Sequence, residues 1–389
     1  MDLTQQIAPL LDRHMVLPML DFLMKKELYP ESDLLHAKYE LLKGTNMIDF
    51  ANSVHQQLTK SDETSAEFEM KRPAVLSEYE ARESASAKVM TCLAAPIVRE
   101  AVAKADKTAL RQLLKSRFDF DDASADALFE FAQCEFAVGS YEGAADMLFH
   151  YRIVSTNAEK SLKALWGKLA CEILLQKWDT ALDDLLTLKD AIDAPAVTST
   201  SSPTNNTAQL VARTYFIAWS LFVFFNHPKG RDALVDTLTQ PAYISAIQTT
   251  CPWALRYLTA CIVTTKNRRK PQLLKELTRL VASERELRPL TDPLLEFIHT
   301  LYTSYNFSEA HKSLALARPV LAGDFFLESM GEEFCETART MVFETYVKVY
   351  REIDIGVLSA TLGLSREEGE KWVVDLVRGV KMDAKIDSE

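Results

Sequence analysis

Residues 131–148, FAQCEFAVGSYEGAADML, and residues 168–185, KLACEILLQKWDTALDDL, decide the fold, because the second string repeats the first at an offset of 37. Cys134-Glu135 corresponds to Cys171-Glu172, and Tyr141-Glu142-Gly143-Ala144 corresponds to Trp178-Asp179-Thr180-Ala181. A third copy of the second motif stands at Phe307-Ser308-Glu309-Ala310. Each is an aromatic, two variable residues and an alanine, with Leu148, Leu185 or Leu314 four residues beyond the alanine. The offset lies among helical-repeat periods of roughly 34 to 47 residues. The pattern predicts an α-solenoid of tetratricopeptide-like repeats, in which the alanine lets paired helices approach closely and the aromatic wedges against a neighbouring repeat.

Composition agrees with this reading. At 389 residues the chain is too long for one compact core, so several domains or an extended array are expected. Glycine is scarce, 11 of 389, which favours helices over turn-rich β architectures. No uncharged apolar run approaches the roughly 18 residues of a membrane span, so no membrane partner is expected. The N-terminus, Met1-Asp2-Leu3-Thr4, does not read as a secretory signal, and an intracellular, cytoplasmic protein is expected, with a nuclear pool as an alternative. Six cysteines without a CxxC pair read as buried free thiols. The formal charge of −11 argues against a protein whose main task is coating nucleic acid.

Outward from the repeat, residues 3–58 read as short amphipathic helices broken at Pro30 and Gly44. Residues 61–107 suggest a long exposed helix or hairpin bounded by Pro73 and Pro96. The segment 193–208, DAPAVTSTSSPTNNTA, predicts an exposed loop. Gln240-Pro241, Cys251-Pro252 and Asp292-Pro293 mark helix starts with proline at the first helical position, the last with an aspartate cap. Toward the C-terminus, 355–362 predicts a short helix, and Ser365 with Glu368 a capping box opening a second helix to about Arg378. Its apolar stripe holds Trp372, Val373, Leu376, Val377 and Val380. Met382, Ala384 and Ile386 then alternate with charged residues as in a strand. Helix, helix, strand is the front half of a winged helix, ending after the first wing strand. Its second helix has as many acids as bases, which disfavours DNA reading and leaves a protein-interaction role with Trp372, Met382, Ala384 and Ile386 as the candidate interface.

Motifs of catalysis are missing from the sequence. The seven histidines form no HxxxH or HxH pair, and there is no Walker loop, GxGxxG or GxSxG. The expectation is a protein with no catalytic residues, cofactor, metal or small-molecule substrate. Asn226-His227-Pro228-Lys229-Gly230-Arg231-Asp232 reads as an inter-helix turn in preference to an anion site. Between 266 and 288 the bases Lys266, Arg268, Arg269, Lys270, Lys275, Arg279, Arg285 and Arg288 meet only Glu276, Glu284 and Glu286. Lys266, Arg268, Arg269 and Lys270 are the candidate basic patch, a solvated face or a contact for RNA or an acidic partner. Asp324, Glu328, Glu332, Glu333 and Glu336 form the opposite, acidic span.

Helical repeats followed by a neutral winged helix resemble the PCI-domain family, the scaffold subunits of the proteasome lid, the COP9 signalosome and the eukaryotic translation initiation factor three complex. DRHMVLPMLDFL (12–23), TNMIDFA (45–51), LWGKLACEILLQKWDTALDDL (165–185), WSLFVFFNHPKGRD (219–232) and WVVDLVRGVKMDAKIDS (372–388) are similar to the initiation-factor branch. Residues 61–116 and the loop near 200 match poorly. The resemblance implies a helical-repeat region over 1–210 and a PCI domain over 211–389, its helical part at 211–338 and its winged helix at about 339–389. It also implies a non-catalytic scaffold that assembles with other PCI and MPN subunits and, through the complex, meets the small ribosomal subunit and mRNA. The alternatives are a scaffold of the proteasome lid or signalosome, and a nucleic-acid-binding winged-helix regulator.

Overall fold

A computed structural model of the chain describes residues 2–98, 107–118, 120–194, 203–289 and 291–350, with isolated positions at 356, 367, 371 and 374. All regular structure among the described residues is helical, as the sparse glycine and the repeat predict. The expected C-terminal helices, wing strand and interface residues Trp372, Met382, Ala384 and Ile386 lie outside the described residues. Two compact units divide at Gly230, one holding Thr4–Gly230 and the other Met1–Leu3 with Arg231–Glu389. The position 210 falls inside a continuous helix, Pro203–Asn226.

The first unit begins with the single turn α1 (Thr4–Ile7), then α2 (Arg13–Lys25), α3 (Glu31–Lys43) and α4 (Ile48–Thr59). The Asp12 carboxylate caps α2 by accepting from the His14 N–H at 2.9 Å. Pro18 lies inside α2, five residues beyond its first residue. The long helix α5 (Ala66–Ala94) likewise runs through Pro73, which the sequence reading took as a boundary. Burial of Phe68 and Val75 on either side of the proline offsets the lost backbone bond. At the other end Ala95 is extended before Pro96, and the helix stops where expected.

After α6 (Lys107–Phe118) come the repeats: α7 (Asp122–Val138) with α8 (Tyr141–Val154), then α9 (Ala158–Leu174) with α10 (Trp178–Asp193). The inter-helix turn has the same construction in both. Gly139 and Gln176, 37 apart, are both left-handed, with φ of 98° and 58°. The next residue's N–H, from Ser140 or Lys177, reaches back to the carbonyl of Glu135 or Glu172 at 2.9 Å in each case. Ala144 and Ala181 then donate to the Ser140 and Lys177 carbonyls at 3.1 and 3.0 Å, and both alanines are fully buried. The first unit closes with α11 (Pro203–Asn226), so the expected loop of 193–208 is helical at both ends: Asp193 ends α10 and Pro203 begins α11. Residues 216–224 of α11 are buried without a break, the mark of a core helix. Its stretch Thr207–Asn226 is long and apolar enough to cross a membrane, yet half of it is packed inside the protein.

The second unit contains α12 (Gly230–Leu238), α13 (Pro241–Thr249), α14 (Ala254–Thr264), α15 (Lys270–Leu287), α16 (Pro293–Tyr302), α17 (Phe307–Ala322) and α18 (Gly331–Val349). Every residue of α14 is buried, and α15, α16 and α18 pack around it. The third repeat motif joins α16 to α17. Tyr305 is left-handed with φ of 50°, two residues before the motif aromatic, as Gly139 and Gln176 are. Ala310 donates to the Asn306 carbonyl at 2.9 Å and is fully buried. Five cysteines are buried and Cys92 is half-buried, all of them free thiols.

Candidate interaction surfaces

The most deeply buried charges are occupied inside the helical packing. In the second unit the buried Arg256 guanidinium reaches Asp292 Oδ2 at 2.5 Å and Asp324 Oδ2 at 3.0 Å, and the Tyr257 hydroxyl donates to the same Asp324 oxygen at 3.2 Å. Asp292 also caps α16, accepting from the Leu294 N–H at 2.9 Å. Burial pushes the Asp324 carboxyl up, and the arginine pulls it back. In the first unit Lys168 bridges Glu172 and Asp184, with Arg152 at 3.3 Å from Asp184. Burial pushes Glu172 up to about 7. The equivalent residue one repeat earlier, Glu135, accepts from the Tyr79 hydroxyl at 2.5 Å and thereby ties α7 to α5. Lys168 and Glu172 are one helical turn apart, but the partners that complete these networks lie far off along the chain, Asp324 68 positions from Arg256 and Glu135 56 from Tyr79.

The candidate basic patch is split by the fold. Arg269 is paired with Asp236 at 2.6 Å, and Lys270 turns inward to donate to the Val263 carbonyl at 2.5 Å, capping the end of α14. Burial holds the Lys270 ammonium below the usual lysine range. Lys266 and Arg268 stay exposed. Of the more distant bases, Arg285 pairs with Glu296 and Arg288 with Glu284, whereas Lys275 and Arg279 stand exposed one turn apart on α15. The acidic span is dismantled in the same way: Asp324 serves Arg256, Glu333 accepts from Arg231 at 2.6 Å, and Glu336 pairs with Arg339 at 3.3 Å.

The 226–232 string is a turn, as read. Lys229 N–H donates to His227 Nδ1 at 3.1 Å, so the ring proton sits on Nε2, which faces Asp179 Oδ1 at 3.1 Å. Gly230 is required by close approach, since a Cβ there would meet the Phe224 carbonyl oxygen at 2.2 Å. Among the described residues no group of His, Cys, Asp and Glu could hold a metal ion.

Comparison with known proteins places both ends of the chain in described families. The N-terminal domain model of eIF3 subunit 6 matches residues 2–135, running through the 61–116 stretch where the resemblance was weakest, and the PCI domain model matches residues 310–389. The chain is similar to the E subunit of eukaryotic translation initiation factor 3 from Arabidopsis thaliana, at 40% identity over 399 residues, covering 100% of this chain and 88% of the relative. It is also similar to the proteins of the same name from Aspergillus clavatus, at 40% identity over 99% of this chain and 85% of the relative, and from Botryotinia fuckeliana, at 39% over 99% and 84%.

Proposed function

The chain belongs to the E-subunit family of eukaryotic translation initiation factor 3, and from that premise we propose that it is a non-catalytic scaffold subunit of that factor. The observation that carries the reading is the continuity of the similarity along the whole chain, through helical-repeat turns that share one backbone construction. Groups whose protonation burial perturbs, Asp324 and Glu172 among them, have structural partners in helix packing. Such contacts fix helices in place, which supports the scaffold reading.

In this role the chain joins other PCI and MPN subunits in the cytoplasm and meets the small ribosomal subunit through the assembled factor. The helical-repeat region and the PCI region divide the work, and the C-terminal residues Trp372, Met382, Ala384 and Ile386 are the proposed joint to neighbouring PCI subunits. The match of the PCI domain model through residue 389 supports that assignment.

A pull-down of the tagged full chain from cell extract, wild type beside Ile386→Pro, tests both parts. Wild type should recover the other subunits of initiation factor 3. The proline variant, whose position 386 has no backbone N–H to donate, should keep its helical circular dichroism and recover far fewer. Recovery of proteasome-lid or signalosome subunits in their place would overturn the reading, and equal recovery by the variant would move the joint elsewhere.

A further inference from the structure

The fold neutralises half of the cations between 266 and 288 and leaves the other half outward. Arg269, Lys270, Arg285 and Arg288 are each held by a carboxylate or a carbonyl. Lys266 and Arg268, in the turn before α15, and Lys275 and Arg279, within α15, are exposed, and their side chains make no hydrogen bond or ion pair among the described residues. Helical geometry places Lys275 and Arg279 on one face, ~6 Å apart along the axis. Lys266 and Arg268 lie in the segment that leads into α15, so the four cations fall within 14 consecutive residues at the entry and middle of one helix. Their exposed neighbours are Asn267, Pro271, Gln272 and Arg269, the last held by Asp236, while the half-buried Glu276 accepts from the Gln272 amide at 3.4 Å.

No large apolar side chain is exposed between 266 and 279; the first one further along is Leu287. A protein docking site needs a desolvated apolar or aromatic centre, and this strip has none. A phosphate backbone needs no such centre, because lysine and arginine side chains alone neutralise it and release its counterions. The strip also lacks an exposed aromatic on which a base could stack, which removes the commonest source of base preference on a single strand.

We propose that Lys266, Arg268, Lys275 and Arg279 form a contact site for the phosphate backbone of single-stranded RNA, bound without regard to sequence. The choice of RNA among polyanions rests on the translation-factor reading; the strip itself does not. The chain's net charge of −11 repels RNA elsewhere on the surface, so the contact is local and strongly salt-dependent.

The test is fluorescence anisotropy of the full chain with a 5′-labelled single-stranded RNA, once as oligouridine and once of mixed sequence, titrated at several salt concentrations. Four phosphate contacts give a slope of log affinity against log salt of roughly −3, a loss on the order of 50-fold between 50 and 200 mM. Lys275→Ala with Arg279→Ala should halve that slope and weaken binding at 50 mM salt by at least about tenfold. Arg269→Ala with Arg285→Ala makes the same charge change at cations already paired, and should alter binding less than about twofold. Both RNAs should behave alike. Absence of salt-dependent binding, equal loss in both double variants, or binding of an acidic peptide in preference to RNA would each overturn the proposal. The Lys275→Ala, Arg279→Ala chain should still enter the initiation-factor complex; failure to do so would make the strip a protein interface and overturn it as well. Failure of the wild-type chain to enter the complex would instead count against the scaffold reading.

Discussion

Arg256 keeps a full charge at 1% side-chain exposure because two carboxylates and the packing of α14 hold it. Removing one member of such a buried set strands the others. Arg256→Met should lower unfolding free energy by roughly 3–5 kcal/mol, read by urea denaturation, because Asp324 is left buried without its counter-charge. Arg269→Ala breaks a pair in which both side chains are more than half exposed, and should change stability by less than about 1 kcal/mol. Similar losses in the two variants would contradict the division into structural and exposed pairs. Glu172 offers a pH test. Its folded carboxyl is raised to about 7, mainly by burial, so the favourable contribution of its protonated form is fully present below the unfolded value of 4.5 and is lost as pH rises through 7. Stability measured from pH 5 to 8 should therefore fall with a component that Glu172→Gln removes. An unchanged pH profile in that variant would show that Glu172 ionises normally. Apart from Lys168 and Glu172, which stand one helical turn apart, these pairs were not legible along the sequence. Counting charge locally found a basic stretch and an acidic one, but the partners that cancel them are distant: Arg256 meets Asp324 across 68 positions, and Arg231 meets Glu333 across 102.

At the level of helices the sequence was far more readable, because a repeat writes its own register. The 37-residue offset located the buried alanines and the turns before them, and Asp292-Pro293 located the start of α16. The left-handed residue two before each motif aromatic was hidden, since glycine holds it once and glutamine and tyrosine hold it in the other copies. Those side chains carry a conformational cost that glycine does not. Gln176→Gly should leave stability unchanged or raise it by up to about 1 kcal/mol, whereas Gly139→Ala should cost about 1–2 kcal/mol, with the nearby Met47 side chain adding to it. The opposite ordering in thermal denaturation would contradict the shared turn. Ala181→Leu should overpack the contact between α9 and α10 by roughly 1–3 kcal/mol, and an unchanged melting temperature would remove the repeat's physical basis. Pro73 was misleading because proline ends a helix only when nothing outweighs one missing backbone bond. In α5 the burial of Phe68 and Val75 outweighs it.

Across the molecule, regular structure that is helical throughout the described residues, little glycine and similarity along the entire length to the E subunit of initiation factor 3 all fit the proposed scaffold. The fold class and the family could be read from repeats and short specific strings. The division of cations into paired and available ones could not, because it depends on which side chains the fold brings together. The central claim, that the chain is a scaffold subunit of that factor, is tested most directly by native mass spectrometry of the tagged full chain purified from cells. The account predicts one copy of the chain in an assembly whose remaining mass is made up of other initiation factor 3 subunits, and subcomplexes that retain PCI partners when the assembly is partly dissociated. A chain recovered alone, as copies of itself, or in an assembly without those subunits would contradict it.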